Sequence, residues 1–165
     1  MATRTHSLEI STPSHREIRM TREFDAPREL VWDAWTKPEL VRRWLLGPDG
    51  WSFAVCDIDL RVGGAYRWVW RRDKDGREMG AGGVYREITP PERIVNTEQF
   101  DDPWYQGECL VTTTFVEQSG RTTVTTDMQF VTQETRDAVL ESGMETGVER
   151  SYQRLDDIFA SQTAR

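Results

Sequence analysis

Hydrophobic and polar positions alternate with a period of two near the start of the chain. Ile18, Met20 and Phe24 alternate with polar residues over 17–25, although Arg22 falls on the apolar side. Successive side chains of a strand point to opposite faces, so this pattern predicts a strand with one face in water. Residues 1–14 are polar and lack such a pattern, which predicts a flexible N-terminal tail.

Two short helices are predicted directly after this strand. In the first, apolar residues recur at helical spacing, at Leu30, Val31, Ala34 and Trp35. Pro38 stops that helix and suits the first turn of the second, which ends before Gly47-Pro48.

The middle of the chain returns to a period of two and is divided by turn sequences. The turns "KDGR", "TPPER" and "SG" separate segments rich in β-branched and aromatic residues, and about six strands are predicted between residues 51 and 131. One of these strands contains "GAGG" at 80–83, where glycines indicate a bulge or the close approach of another backbone segment.

The end of the chain, from Glu134 onward, has a helical pattern that Gly143 and Gly147 weaken in its middle. An apolar stripe follows one face of this helix, at Met144, Val148, Tyr152, Leu155 and Phe159. Amphipathic helices generally bury such a stripe on their own core, so packing on the sheet is the simplest expectation. The alternatives are another protein or a small apolar molecule held between helix and sheet.

The order of the elements predicts the fold class. Helices at the two ends of a strand-rich middle, rather than alternating with strands, predict an α+β fold with an antiparallel sheet. The 165 residues are long enough to bury a full core, and we predict a single domain over 15–162. Cys56 and Cys109 are expected to remain buried thiols.

The charge of the chain narrows the choice of partners. The net charge is −7, and the arginines are scattered among acidic residues, which argues against a nucleic-acid partner. No apolar run is long enough to cross a bilayer, and the start lacks the apolar centre of a secretory signal. We therefore expect a soluble, cytoplasmic protein with no membrane span.

The residues needed for several kinds of catalysis are missing from the sequence. Its two histidines, His6 and His15, lie in or near the tail, where they cannot form a metal site with the distant cysteines or activate a nucleophile. The chain has no phosphate-binding loop. We therefore assign no catalytic residue, no metal ligand and no cofactor.

Carboxylates in strands are the remaining candidates for acid–base chemistry. A carboxyl buried in an apolar cavity has a raised pKa and can transfer protons near neutral pH. Strand parity places Asp127 opposite Met128, on the outer face. For Glu98 and Glu108 the pattern leaves open whether either side chain faces the interior.

Four segments together resemble a known family. They are "FDAPRELVWDAWTKPELVRRWLLGPDG", "DIDLRVGGAYRWV", "GVYREITPPERIVNTEQF" and "GMETGVERSYQRLDDIF". Over about residues 15 to 160, the chain resembles the prokaryotic homologues of the activator of the ninety-kilodalton heat-shock-protein ATPase. This family belongs to the START-like, birch-pollen-allergen-like helix-grip superfamily, also called SRPBCC. The resemblance implies an antiparallel sheet of about seven strands curled around a long C-terminal helix, two short helices after the first strand, and a cavity between helix and sheet.

The seven tryptophans are the unusual feature of the composition. Rings with a polar edge suit the wall and mouth of a pocket for a flat or apolar ligand, whereas Trp32 and Trp35 suit a helix core. Because the helix-grip fold places such residues around its cavity, we predict these ligand-binding residues: Trp44, Trp51, Tyr66, Trp68, Trp70, Trp104, Met128, Met144, Val148 and Tyr152.

Three functions are compatible with these features. The first is a non-catalytic binder of a small hydrophobic or aromatic molecule, which the aromatic strand face favours. The second is a protein-interaction or co-chaperone-like module, although the resemblance implies chaperone activation only for the eukaryotic proteins, which carry an extra N-terminal domain. The third is a polyketide cyclase- or aromatase-like enzyme, which requires an ionisable residue in the cavity. An exposed edge strand would also allow a symmetric homodimer.

Overall fold

The computed structural model describes residues 6–102 and 107–163. Their elements follow the chain in this order: β1 (Glu9–Ser11), β2 (Glu17–Phe24), α1 (Arg28–Thr36), α2 (Pro38–Trp44), β3 (Trp51–Ile58), β4 (Ala65–Arg72), β5 (Glu78–Thr89), β6 (Arg93–Phe100), β7 (Cys109–Gln118), β8 (Arg121–Gln129), α3 (Gln133–Glu141) and α4 (Met144–Thr163). The predicted α+β class is confirmed.

The described strands form one open antiparallel sheet of eight strands in the order β1-β2-β8-β7-β6-β5-β4-β3. The prediction of about seven strands missed β1, which lies within the segment predicted as a tail. Its register, Ile10 opposite Met20, adds a short strand to the edge of β2. Three residues are too few for a period-two pattern, so the sequence gives no signal for this strand.

The C-terminal helical segment is divided into α3 and α4. Gly143 adopts a positive φ of 82°, a backbone conformation that glycine tolerates because it has no Cβ. The predicted helix is therefore continuous only from Met144, where the 20 residues of α4 begin. Gly147 lies inside α4, and a Cβ there would contact the ring of Pro48 at 3.4 Å.

The second half of α4 packs directly on the sheet and the first two helices. Leu155 and Phe159 are fully buried, and the Phe159 ring meets Phe24 of β2 edge-to-face at a centroid distance of 5.7 Å. Arg22, the polar residue on the apolar side of β2, is buried beside them and donates two hydrogen bonds to Asp156, of 2.7 and 2.6 Å. The ion pair between Arg22 and Asp156 fixes the position of α4 relative to β2.

Candidate functional site

A cavity of about 520 Å³ lies between the concave face of the sheet and the first half of α4. Aromatic and apolar side chains from the sheet, α1, α2 and α4 form most of its wall, together with the loop 45–48. The apolar stripe of α4 is therefore shared between two environments. Met144, Val148 and Tyr152 face the cavity, whereas Leu155 and Phe159 lie in the packed core.

Three aromatic residues of β4 form one side of this cavity. Tyr66, Trp68 and Trp70 alternate along the strand and therefore share its inner face. The indole N–H of Trp70 donates to the Leu45 carbonyl at 2.8 Å, and that of Trp44 donates to the Ala34 carbonyl at 2.8 Å. Because these polar edges are bonded within the protein, the rings present apolar surface to the cavity.

The glycine run in β5 allows the neighbouring strands β4 and β6 to approach it closely behind the cavity. A Cβ on Gly83 would overlap the Thr97 carbonyl of β6, and a Cβ on Gly82 would lie 2.7 Å from the Tyr66 carbonyl. The close approach predicted from "GAGG" is therefore present. At the same place, the Tyr66 hydroxyl of β4 donates a hydrogen bond to the Thr97 carbonyl of β6 at 2.6 Å.

Glu98 is the acidic side chain of the described cavity wall. It follows Ile94 and Asn96 at a period of two on β6, and all three line the cavity. Burial raises the pKa of its carboxyl from an ordinary 4.5 to about 7. The negative charge of Glu98 also raises the pKa of Tyr66 and Cys109, after the larger effect of burial on each, so these groups stay neutral.

The other two candidate carboxylates lie elsewhere. Glu108 is exposed and is not among the lining residues. Asp127 pairs on the outer face with Arg19, whose Nε donates to its carboxylate at 2.6 Å, as strand parity predicted.

Nine of the ten predicted ligand-binding residues line the cavity. They are Trp44, Trp51, Tyr66, Trp68, Trp70, Met128, Met144, Val148 and Tyr152. Trp104 lies outside the described residues. Trp35 was predicted to lie in the helix core, but it also lines the cavity. It packs 4.6 Å from the Trp44 ring, so it belongs to the core and to the cavity at once.

The loop 45–50 closes one end of the cavity and is tied to α4. Arg154 donates to the Gly47 carbonyl at 2.8 Å and to Asp49 at 3.0 Å, and Arg150 donates to the same Asp49 oxygen at 2.9 Å. These arginines lower the pKa of Asp49. The Gly47 amide also donates to Ser151, which fixes the loop beside the first half of α4.

One group away from the cavity has the residue types of a metal site. His6, Glu23 and Asp25 place possible ligand atoms within 4.8 Å of one another. The His6 ring, however, already lies 3.0 Å from the Asp25 carboxylate, and Arg121 lies 3.6 Å from both carboxylates. Since the Arg121 guanidinium already lies beside both carboxylates and the His6 ring already contacts Asp25, we do not assign a metal to this group. Cys56 and Cys109 are free, buried thiols.

No helix among the described residues has the length and apolar character needed to span a membrane.

Comparison with known proteins agrees with this architecture. The sequence matches the family model described as "Activator of Hsp90 ATPase homolog 1-like protein" over residues 25–160. The crystal structure of a Rhodobacter sphaeroides protein is 33% identical, with a TM-score of 0.88 over 94% of this chain and 99% of its own. A Nitrosomonas europaea protein is 25% identical, with a TM-score of 0.80 over 93% and 100% of the two chains.

A more distant solved structure shares the fold. It is an AHSA1-like protein from Aeromonas hydrophila, 21% identical, with a TM-score of 0.67 over 85% of this chain and 93% of its own. No curated protein matches the sequence at a significant level. These neighbours have the helix-grip arrangement that the sequence resemblance implied.

Proposed function

The chain belongs to the family of Activator of Hsp90 ATPase homolog 1-like proteins, and from its cavity we propose that it binds a small hydrophobic or aromatic molecule between the sheet and α4. The observation that carries the proposal is the volume of about 520 Å³ at a place where sheet and helix could have packed together. This volume falls within the range of small-molecule sites, about 300–1,000 Å³.

The composition of the wall supports an apolar ligand. Indole, phenol and thioether groups supply twelve of the 27 lining residues, and thioethers adapt to ligands of different shape. Protein interiors are normally close-packed, so an apolar hollow of this size costs stability when it is empty. A ligand that fills the hollow recovers the dispersion contacts that the wall lacks.

The proposal is tested by filling the cavity from α4. Replacing Val148 with Trp places an indole in the hollow, so we expect the affinity for the neutral dye N-phenyl-1-naphthylamine to fall by about tenfold or more, equivalent to about 1.4 kcal/mol. Dye fluorescence on titration with protein measures this affinity.

The matched control is Glu149→Trp, which adds the same side chain on the exposed side of α4 and should leave dye affinity unchanged. Circular dichroism establishes that both variants fold. Equal affinity in the Val148→Trp variant and the native protein, or no dye binding by the native protein, would contradict the proposal.

A second candidate is an enzyme of the cyclase or aromatase kind, and the position of Glu98 favours it. A carboxyl with a pKa of about 7 inside an apolar cavity suits proton transfer at neutral pH. We expect the native protein in deuterium oxide to exchange the methyl protons of acetonaphthone about a hundredfold faster than buffer does, the scale of general acid–base catalysis. Proton NMR follows the exchange. A native rate no faster than buffer, or one that Glu98→Gln leaves unchanged, rejects this candidate.

A further inference from the structure

The charge inside the cavity is unbalanced. Among the described lining residues, Glu98 is the only side chain that ionises near neutral pH, and none is Lys, Arg or His. The phenols of Tyr66, Tyr85 and Tyr152 stay neutral because burial raises the pKa of each. An ionised Glu98 therefore has no positive partner in the described wall.

Two polar side chains that line the cavity with Glu98, Tyr66 and Asn96, already donate their hydrogen bonds within the protein. The Tyr66 hydroxyl donates to the Thr97 carbonyl. The Asn96 amide donates to the Tyr66 oxygen at 3.1 Å and to the Thr97 carbonyl at 3.2 Å. Within the described parts of the chain, no residue donates a hydrogen bond to the Glu98 carboxyl. A donor on a molecule that enters the cavity can therefore bond to this carboxyl.

We infer that the cavity selects hydrophobic molecules that carry a protonated amine, and that the ammonium group binds the Glu98 carboxylate. This inference rests on the proposed function, since it names the chemical class of the ligand for the same cavity. An ammonium supplies both of the missing features, a positive charge and N–H donors in one group. The apolar body of the ligand then lies against the rings of Trp68 and Trp70.

The energetics favour an amine because Glu98 is already partly desolvated in the folded protein. A buried ion pair is normally weakened by the cost of removing both charges from water. Here the Glu98 side chain is already half-buried in the apolar wall, and this partial desolvation raises the pKa of its carboxyl to about 7. Binding therefore costs mainly the hydration of the ammonium, and the aromatic rings of Tyr66 and Trp68 attract a cation in return.

The same arrangement disfavours anionic ligands such as fatty acids. A ligand carboxylate would enter a cavity in which the group that ionises near neutral pH, Glu98, is also negative. The described wall has no cation to bind the ligand carboxylate. Like charges in a site of low dielectric repel strongly, and one of the two carboxyls would have to remain protonated.

Three ligands of matched shape test this selectivity: naphthylmethylamine, naphthylmethanol and naphthoate. At pH 8 the amine and Glu98 both carry charge. We expect calorimetric titration to show that the affinity falls in the order amine, alcohol, acid. The amine should bind about tenfold more tightly than the alcohol, because a charge-assisted hydrogen bond is roughly twice as strong as a neutral one. Lowering the pH below 7 should weaken the binding of the amine and of neither other ligand, because Glu98 gains a proton. The other nearby groups, Tyr66, Tyr85, Tyr152 and Cys109, remain neutral over this range.

Two variants identify the carboxylate responsible. Glu98→Gln keeps the shape of the side chain and should remove the tenfold preference while alcohol binding remains. Glu108→Gln removes the same charge from an exposed position immediately before β7 and should leave the affinities for all three ligands unchanged. If the alcohol binds as tightly as the amine, or the acid binds most tightly, the inference is wrong although the cavity still binds ligands. If none of the three binds, the proposed function fails as well.

Discussion

At pH 8, replacing Glu98 with Leu is expected to stabilise the protein by about 3 kcal/mol, since each unit of pKa shift corresponds to about 1.4 kcal/mol. The carboxyl has a pKa of about 7 when folded and an ordinary value of 4.5 otherwise. The folded state therefore binds the proton more tightly than the unfolded state does. The contribution of Glu98 to the free energy of unfolding therefore falls as the pH rises from 4.5 to 7 and does not change further above that range. Leucine removes this loss because it has no charge to bury.

Chemical denaturation at pH 4.5 and pH 8 measures the effect as a difference between the native protein and the variant. That difference should be small at pH 4.5, where Glu98 is protonated in the folded state, and should reach its full size at pH 8. Glu108→Leu is the control, because Glu108 is exposed and should show no such pH dependence. A difference for Glu98→Leu that is equal at the two pH values would show that the carboxyl is not desolvated.

A destabilising carboxyl in the cavity wall is itself an argument for function. Strained and desolvated groups concentrate where a protein binds or reacts, and removing them commonly raises stability at the expense of activity. If Glu98→Leu gains stability and Glu98→Gln loses amine binding, the two results have one cause. The stability lost by leaving Glu98 without a partner is then recovered when a cationic ligand supplies one.

Much of the cavity wall could be predicted from the sequence because strand parity is local. Tyr66, Trp68 and Trp70 share a face in any strand that contains them, and the spacing of Met144, Val148 and Tyr152 places them on one side of any helix. These patterns identify a face but not what covers it. Whether α4 touches the sheet depends on the curvature of the sheet, which brings together residues far apart in the chain.

Glu98 shows where the pattern becomes uninformative. Its strand, "RIVNTEQF", has apolar residues on both faces, at Ile94 and Phe100 on one and Val95 on the other. Parity links Glu98 to Ile94, but the sequence does not say which face is buried.

Trp35 was assigned to the core for a similar reason, since a helix stripe gives no sign that one ring also borders a hollow. The strand β1 was missed because its pairing with β2, rather than any pattern of its own, stabilises it.

Gly83→Ala is expected to destabilise the protein by more than about 3 kcal/mol, above the usual range for overpacking, because the obstacle is backbone rather than a movable side chain. The added Cβ would overlap the Thr97 carbonyl, and the Thr97 side chain lies close by as well. Relieving that overlap requires β5 and β6 to separate. Separation would break the hydrogen bond from the Val84 amide to the Thr97 hydroxyl, 3.0 Å long, and the bond from Tyr66 to the Thr97 carbonyl.

Gly80→Ala provides the comparison within the same strand. The Cβ at position 80 would meet the ends of the Asp101 and Arg67 side chains, which form an exposed ion pair and can move aside. We expect this variant to lose less than about 1 kcal/mol, the size of an exposed ion pair. Urea denaturation compares the two variants. Dye titration should show weakened binding only for Gly83→Ala, because Tyr66 pairs with Gly83 and Glu98 follows Thr97, so both lie beside the contact between Gly83 and Thr97. Equal stabilities for the two variants would mean that the contact between Gly83 and Thr97 can relax and does not hold the cavity wall in place.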